Sequence, residues 1–137
     1  MPRFLLDTNI VSDAVRNPHG NVANRIRRLG DRELCTSIIV AAEVRYGMAK
    51  SGRHRLTERV ADLFRMLPVM ALEPPVDMIY GDLRADLERR GIGIGANDLW
   101  IAAHALTLGL VLVTANEREF SRVPGLAIEN WLRPGRN

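Results

Sequence analysis

An α/β fold, with a parallel sheet covered by helices on both faces, is predicted by two features of the 137-residue chain. Short apolar segments alternate with stretches of helical periodicity from one end to the other, the order that builds parallel strands through helical crossovers. The clearest strand, Leu110 to Val113, shows no polar alternation, so both of its faces are expected to be buried. With 47% hydrophobic side chains and no repeat, low-complexity tract or dividing linker, residues 1–137 are expected to form one domain around one core.

The elements follow in order. Residues 3–7 form a short apolar run ending in an acid, and Thr8 and Asn9 are good helix-start residues for a helix from Ile10 to Arg16. Asn17, Pro18, His19 and Gly20 break the chain, and helical spacing resumes from Val22 to Leu29 until Gly30 stops it. Glu33 to Thr36 is a second strand, after which Ser37 can cap a helix running to about Lys50. Leu56, Val60, Leu63, Phe64 and Leu67 give residues 55–67 an amphipathic helical face, which Pro68 ends. Val69 to Leu72 is a third strand, and Pro74 and Pro75 precede another amphipathic helix from Val76 to Arg90. Gly91 to Gly95 is a permissive connection. Its spacing does not match the Gly-x-Gly-x-x-Gly nucleotide-binding pattern, and it follows a helix instead of a strand. Asn97 is expected to cap a helix over residues 98–108, which Gly109 terminates. After Leu110 to Val113 come a loop with a short helical turn to Phe120 and a weak last strand from Leu126 to Glu129.

Composition narrows the function. No run of about twenty uncharged apolar residues occurs and the amino terminus does not resemble a signal peptide, so a cytoplasmic protein with no membrane association is expected. Cys35 is the only cysteine, which excludes an intramolecular disulfide and a cysteine-based zinc site and suggests a small buried hydrophobe. Nineteen cations against sixteen acids leave a formal charge of +3. Nearly all of the cations are arginine, whose planar fork pairs with phosphates, so nucleic acid is a reasonable partner, although a solvated arginine-rich surface would read the same.

The acids are more informative. In an open parallel sheet, ligands bind outside the carboxyl ends of the strands, where strand order reverses. Asp7 ends the first strand, Asn116 and Glu119 follow the strand Leu110 to Val113, and Asp98 lies in the first turn of the helix before it. Glu43 sits about two turns into the third helix in apolar company. Each has a plain alternative as a cap, a helix-dipole partner or an exposed side chain. Together they suggest carboxylates from distant segments gathered around a cation, since crowded unpaired carboxylates repel and raise one another's pKa. Oxygen ligands without His or Cys select magnesium, or manganese, over zinc. His19, His54 and His104 are scattered, and His104 is read as structural or surface.

These residues fall into motifs. Leu6-Asp7-Thr8-Asn9, Ser37 with Ala42-Glu43-Val44 and Gly47, Asn97-Asp98 with the helix to Ala105, and Val113 to Phe120 with Pro124-Gly125-Leu126 and Glu129 to Trp131 resemble the motif set of PIN-domain VapC-type toxins of type II toxin–antitoxin pairs. The resemblance spans nearly the whole chain in family order. It implies a PIN-like three-layer sandwich that binds Mg2+ and hydrolyses RNA phosphodiesters, transfer RNA among the expected substrates. It further implies inhibition by a cognate VapB-type antitoxin and a homodimer within a larger complex. Carried over by position, Asp7 and Asp98 match the metal-binding aspartates, Glu43 the acid of the third helix, and Thr114 with Asn116 the polar loop of the last motif. Many PIN domains have Asp where Asn116 stands, and Glu119 is the candidate to supply that carboxylate. Thr8, Asn9 and Thr114 are expected to support the site, with Glu43 orienting or deprotonating the attacking water. Arg27, Arg28, Arg89 and Arg90 are candidates for RNA phosphate contacts.

Two other classes compete. A phosphoacceptor signalling domain needs an acidic pair after the first strand, an acceptor Asp after the third and a late Lys, none of which this chain offers in place. Asn9 likewise occupies the second acid position of an Asp-x-Asp phosphatase. A non-catalytic nucleic-acid-binding module is the other alternative, distinguished by whether chelation removes an RNA-cleaving activity.

Overall fold

The computed structural model describes residues 2–132. Its centre is a five-stranded, wholly parallel sheet in the order β3-β2-β1-β4-β5, built from β1 (Phe4–Leu6), β2 (Leu34–Ser37), β3 (Val69–Met70), β4 (Val111–Val113) and β5 (Ile128–Glu129). All residues of β1 and β2 are buried, as expected of strands with no solvent face. Between the strands run α1 (Thr8–Arg16), α2 (Asn21–Leu29), α3 (Ile38–Ser51), α4 (His54–Met66), α5 (Val76–Arg89), α6 (Ala96–Leu108) and the single turn α7 (Glu117–Phe120). Right-handed crossovers put the helices of the leftward connections, α1 to α4, on one face and those of the rightward ones on the other, giving three layers. No helix among the described residues is long and apolar enough to cross a membrane.

The core runs through both layers, with Leu5, Leu6, Ile10, Leu34, Leu67, Leu87, Ile101, Leu112 and Phe120 fully enclosed. Cys35 is among them, and burial pushes its thiol up to about 11, so it is inert apolar filling.

Local chemistry sets the ends of the elements. Asp7 is the N-cap of α1, its Oδ1 accepting from the Thr8 amide at 2.7 Å, and Ser37 caps α3 by accepting from the Ile39 amide at 3.1 Å. Gly52 and Gly109 close α3 and α6 in the left-handed region, φ 66° and 68°, where a side chain would be strained. The outer strands are shorter than the sequence suggests. β3 stops at Met70 and β5 spans two residues, because each pairs with a neighbour over only two positions. A second difference concerns α6. Its N-cap is Gly95, with no side-chain bond, so Asn97 lies inside the first turn instead of capping it.

Sheet order is what makes the site. The chain moves from β1 to β2 and β3 on one side and returns to β4 and β5 on the other, so the crevice between the carboxyl ends of β1 and β4 is the point where order reverses. Leu6 pairs with Thr36 and with Val113, which places Asp7, Ser37 and Thr114, one residue further along each strand, side by side at that edge.

Candidate active site

Asp7 stands at the middle of the crevice, only 2% exposed. Its Oδ2 accepts from Thr114 Oγ1 at 2.7 Å and from Asn9 Nδ2 at 3.4 Å, while Oδ1 accepts the Thr8 amide. Burial raises its pKa and the nearby Glu43 charge raises it further, while these donors act in the opposite direction. Thr8, one residue on, turns its hydroxyl the other way and donates to Glu43 Oε1 at 2.7 Å. The second oxygen of Glu43 accepts from Asn97 Nδ2 at 3.5 Å. A single helix start thus ties the acid of β1 to the acid of α3.

Asp98 and Glu119 complete the group. Burial, the Asp7 charge and the Glu119 charge hold the Asp98 carboxyl far above the usual carboxylate range, at about 7, with Glu43 contributing as well. The contact between the two carboxyls raises Asp98 and lowers Glu119, so their ionisation belongs to the pair. Although burial pushes Glu119 up, it ends lowered, because its Oε1 accepts the Gly95 amide at 3.0 Å, its Oε2 accepts Asn116 Nδ2 at 2.7 Å, and Arg122 lies nearby.

Asn116 is therefore a donor to the acidic group and not a substitute carboxylate, and Glu119 carries the negative charge on this side. The loop that bears both is fixed by neutral groups. Asn9 Oδ1 accepts the Ala115 amide at 3.0 Å, and Thr114 Oγ1 accepts the Asn116 amide at 3.0 Å while donating to Asp7. His104 is structural: buried beneath the site, its Nδ1 is 2.8 Å from Ser37 Oγ, and desolvation holds its pKa below the ordinary value.

Asp7, Glu43, Asp98 and Glu119, drawn from four segments, are thus in mutual electrostatic contact. Asp7, Glu43 and Glu119 are each turned toward donors of their own, and among the described residues no group of three His, Cys, Asp or Glu side chains is arranged to hold a metal ion. Two participants carry little signal in the sequence. Asn97 reads as a cap but reaches Glu43, and Arg122, one turn beyond Glu119, has its Nη1 drawn to the Gly93 carbonyl at 3.4 Å by the α5–α6 connection.

None of the four arginines singled out from the sequence is among the groups that bond to the site's acids. Arg27 donates to the Pro18 carbonyl at 2.9 Å and to Asn24. Arg28 and Arg89 are exposed, and Arg90 pairs with Asp86 at 3.1 Å and donates to the Arg122 carbonyl at 3.3 Å.

A five-stranded parallel sheet with carboxylates gathered at its switch point defines the class of protein, and comparison with known proteins gives the family. The PIN domain profile matches residues 4–126. Ribonuclease VapC2 of Rickettsia felis is 37% identical over 130 residues, covering 93% of this chain and 97% of that one. The tRNA(fMet)-specific endonuclease VapC of Salmonella typhimurium is 36% identical, covering 96% and 99%. Among solved structures, VapBC2 of Rickettsia felis bound to a DNA fragment from their promoter superposes with a TM-score of 0.87 at 35% identity over 93% of this chain and 98% of that one. The chain belongs to the PIN-domain family and, within it, to the VapC ribonucleases.

Proposed function

We propose that the chain is a magnesium-dependent endoribonuclease, the toxin of a toxin–antitoxin pair, with structured RNA such as transfer RNA as its substrate. The observation that carries the reading is the four-carboxylate group at the switch point, whose members hold Asp98 at about 7. Such a group gains most from a divalent cation, and its donor set fits one. All of its acids offer oxygen and none of its members is Cys or His. Magnesium is ordinarily held by one or two carboxylates with water and substrate phosphate oxygens, so a closed protein cage is not required.

Asp7 and Asp98 would hold the ion, which when bound supplies positive charge to a phosphate oxygen and acidifies a water. The chain's own residues do the rest. Glu43, fixed by Thr8 and Asn97, would orient a water and take its proton. Thr114 and Asn9 hold the Asp7 carboxylate in one orientation, and Glu119, held by Asn116 and the Gly95 amide, supplies the negative charge that favours a cation beside Asp98.

An antitoxin is the expected inhibitor, and a groove of about 200 Å3 supports its docking. Ala14 and Val15 of α1, Ala23 and Ile26 of α2, and Leu63 and Met66 of α4 line it. Val40, Val44 and Met48 of α3, by contrast, are turned into the core. Large exposed apolar side chains, Ile38 and Tyr46 on α3 and Met78 on α5, offer surface for a homodimer. The test is cleavage of a transfer RNA transcript by purified protein. Activity present with Mg2+ or Mn2+, lost with chelator and absent from a folded Asp7→Asn variant supports the reading. Cleavage that persists in chelator overturns it. Co-expression with a cognate VapB-type antitoxin should relieve the growth arrest expected of the chain alone.

A further inference from the structure

Away from the acidic site, where the carboxyl end of α1 meets the amino end of α4, Arg16, Arg53, Arg55 and Arg59 line a cleft of about 520 Å3 with His54 and Leu56. Among the described residues none of these arginines is in an ion pair, and the pairs present engage Arg3, Arg25, Arg65, Arg84 and Arg90. Arg59 donates to the Val15 carbonyl at 3.3 Å, while Arg16, Arg53 and Arg55 are exposed. Four arginines lining one cleft that no carboxylate lines repel one another, a cost that an anion would relieve. The end of α4 adds to the positive field, since its first turn begins at Arg53 with no side chain capping the free amides. Charge along the chain is lopsided in the same sense. Residues 1–66 carry twelve cations against seven acids, and residues 67–137 carry seven against nine.

We infer that this cleft binds the phosphates of an RNA strand that reaches it from the acidic site along α1. The inference rests on the ribonuclease reading, which also creates the need for it. A pocket of four carboxylates repels a polyanion, so affinity for RNA must come from cations outside the pocket. The helix α1 links the two places. Asp7 caps its first turn and Arg16 is its last residue, a distance of about 13 Å at 1.5 Å per residue. A stacked strand with about 3.4 Å between successive phosphates along its axis covers that in about four nucleotides. Arginine suits the task because its fork pairs with two phosphate oxygens at once. Chemistry also favours RNA over an acidic protein segment. The cleft offers four guanidiniums around one aliphatic side chain, Leu56, whereas a protein partner is anchored by apolar and aromatic contacts.

The experiment measures binding of a transfer RNA transcript to the full chain in chelator, where no cleavage is needed, across a salt series. The triple variant Arg16→Gln, Arg53→Gln, Arg55→Gln is compared with wild type and with the matching triple Lys variant, each first shown to melt like wild type. Arg59 is left in place because it holds the Val15 carbonyl. The expected result is at least a 10-fold loss of affinity at moderate salt. The slope of log K against log salt should fall by about 2 to 3, at 0.7 to 0.9 per phosphate contact, with partial recovery in the Lys variant. In cleavage assays KM should rise with kcat at saturation unchanged. Unchanged affinity and slope in the Gln variant would overturn the inference, as would retained RNA binding together with lost binding of a poly-glutamate peptide. Reduced RNA binding by the variant, alongside a wild type that cuts nothing, would support the cleft and sink the ribonuclease reading instead.

Discussion

Replacing Asp98 by Asn should make the metal-free protein more stable at alkaline pH while abolishing RNA cleavage. Asp98 holds its proton up to about 7 because burial and the charges of Asp7, Glu119 and Glu43 oppose ionisation, whereas in the unfolded chain it ionises near 4. The folded state therefore binds more protons than the unfolded one between those values. Stability attributable to this group declines as pH rises above 4, and the decline is complete above about 7. The undiscounted shift corresponds to about 4 kcal/mol at 1.36 kcal/mol per pKa unit; solvent screening of a half-buried carboxyl reduces this to about 1–2 kcal/mol. An Asn side chain reproduces the protonated state, since its amide can donate to Glu119 at every pH. The variant should thus exceed wild type by only about a third of this amount at pH 5 and by the full amount, about 1–2 kcal/mol, at pH 8. For a domain of this size that corresponds to about 3–7 °C in Tm. Thermal melts in chelator at the two pH values measure the difference, and the scattered histidines cancel between the proteins. Magnesium at ten times its Kd should restore about 1.4 kcal/mol to wild type alone. A wild-type-to-variant gap that is the same at pH 5 and pH 8 would refute the reasoning.

Thr114→Val removes the 2.7 Å bond to buried Asp7 and the acceptor for the Asn116 amide, so chemical denaturation should show a loss of about 1.5–3 kcal/mol, with cleavage reduced at least tenfold. Thr114→Ser should retain most of both. Asn116→Asp replaces a donor 2.7 Å from Glu119 with a fifth carboxylate; melts in chelator at pH 8 should fall by about 1 kcal/mol, and magnesium should recover more of the loss than in wild type. Phe120, fully buried where α7 meets the sheet, should cost about 3–5 kcal/mol on truncation to Ala in urea unfolding. Cys35→Ala should leave cleavage unchanged, and labelling of the native protein by thiol reagents should be slow, since the thiol is enclosed and its pKa is near 11.

The order of elements was legible because each strand is a short apolar run and helices carry their own stops, such as Gly30, Pro68 and Gly109. The lengths of β3 and β5 were not, because they depend on how far a neighbouring strand extends, a property of pairing and not of Val69 to Leu72 or Leu126 to Glu129 themselves. At the site, the acids were legible from their positions: Asp7 at a strand end, Asp98 in a first turn, Glu43 among alanines. Their partners were less so. Asn97 after a glycine-rich loop has the local chemistry of a cap, and only the packing of α6 against α3 carries its amide to Glu43. Glu119 was identified as a candidate and its bond from Asn116 is local, but its contact with Asp98 and its bond from the Gly95 amide depend on a tertiary contact between α7 and the start of α6. The arginine cleft assembles residues from the end of one helix and the start of another, and no spacing rule joins Arg16 to Arg53 and Arg55.

The account depends on the four carboxylates acting as one cation site, and calorimetric titration of Mn2+ into metal-free protein at pH 6.5 addresses that directly. Wild type is predicted to bind manganese with release of the Asp98 proton, seen as a buffer-dependent heat, and the folded Asp98→Asn protein to bind at least 10-fold more weakly with no proton released. Equal affinity and equal proton release in the two proteins would contradict it.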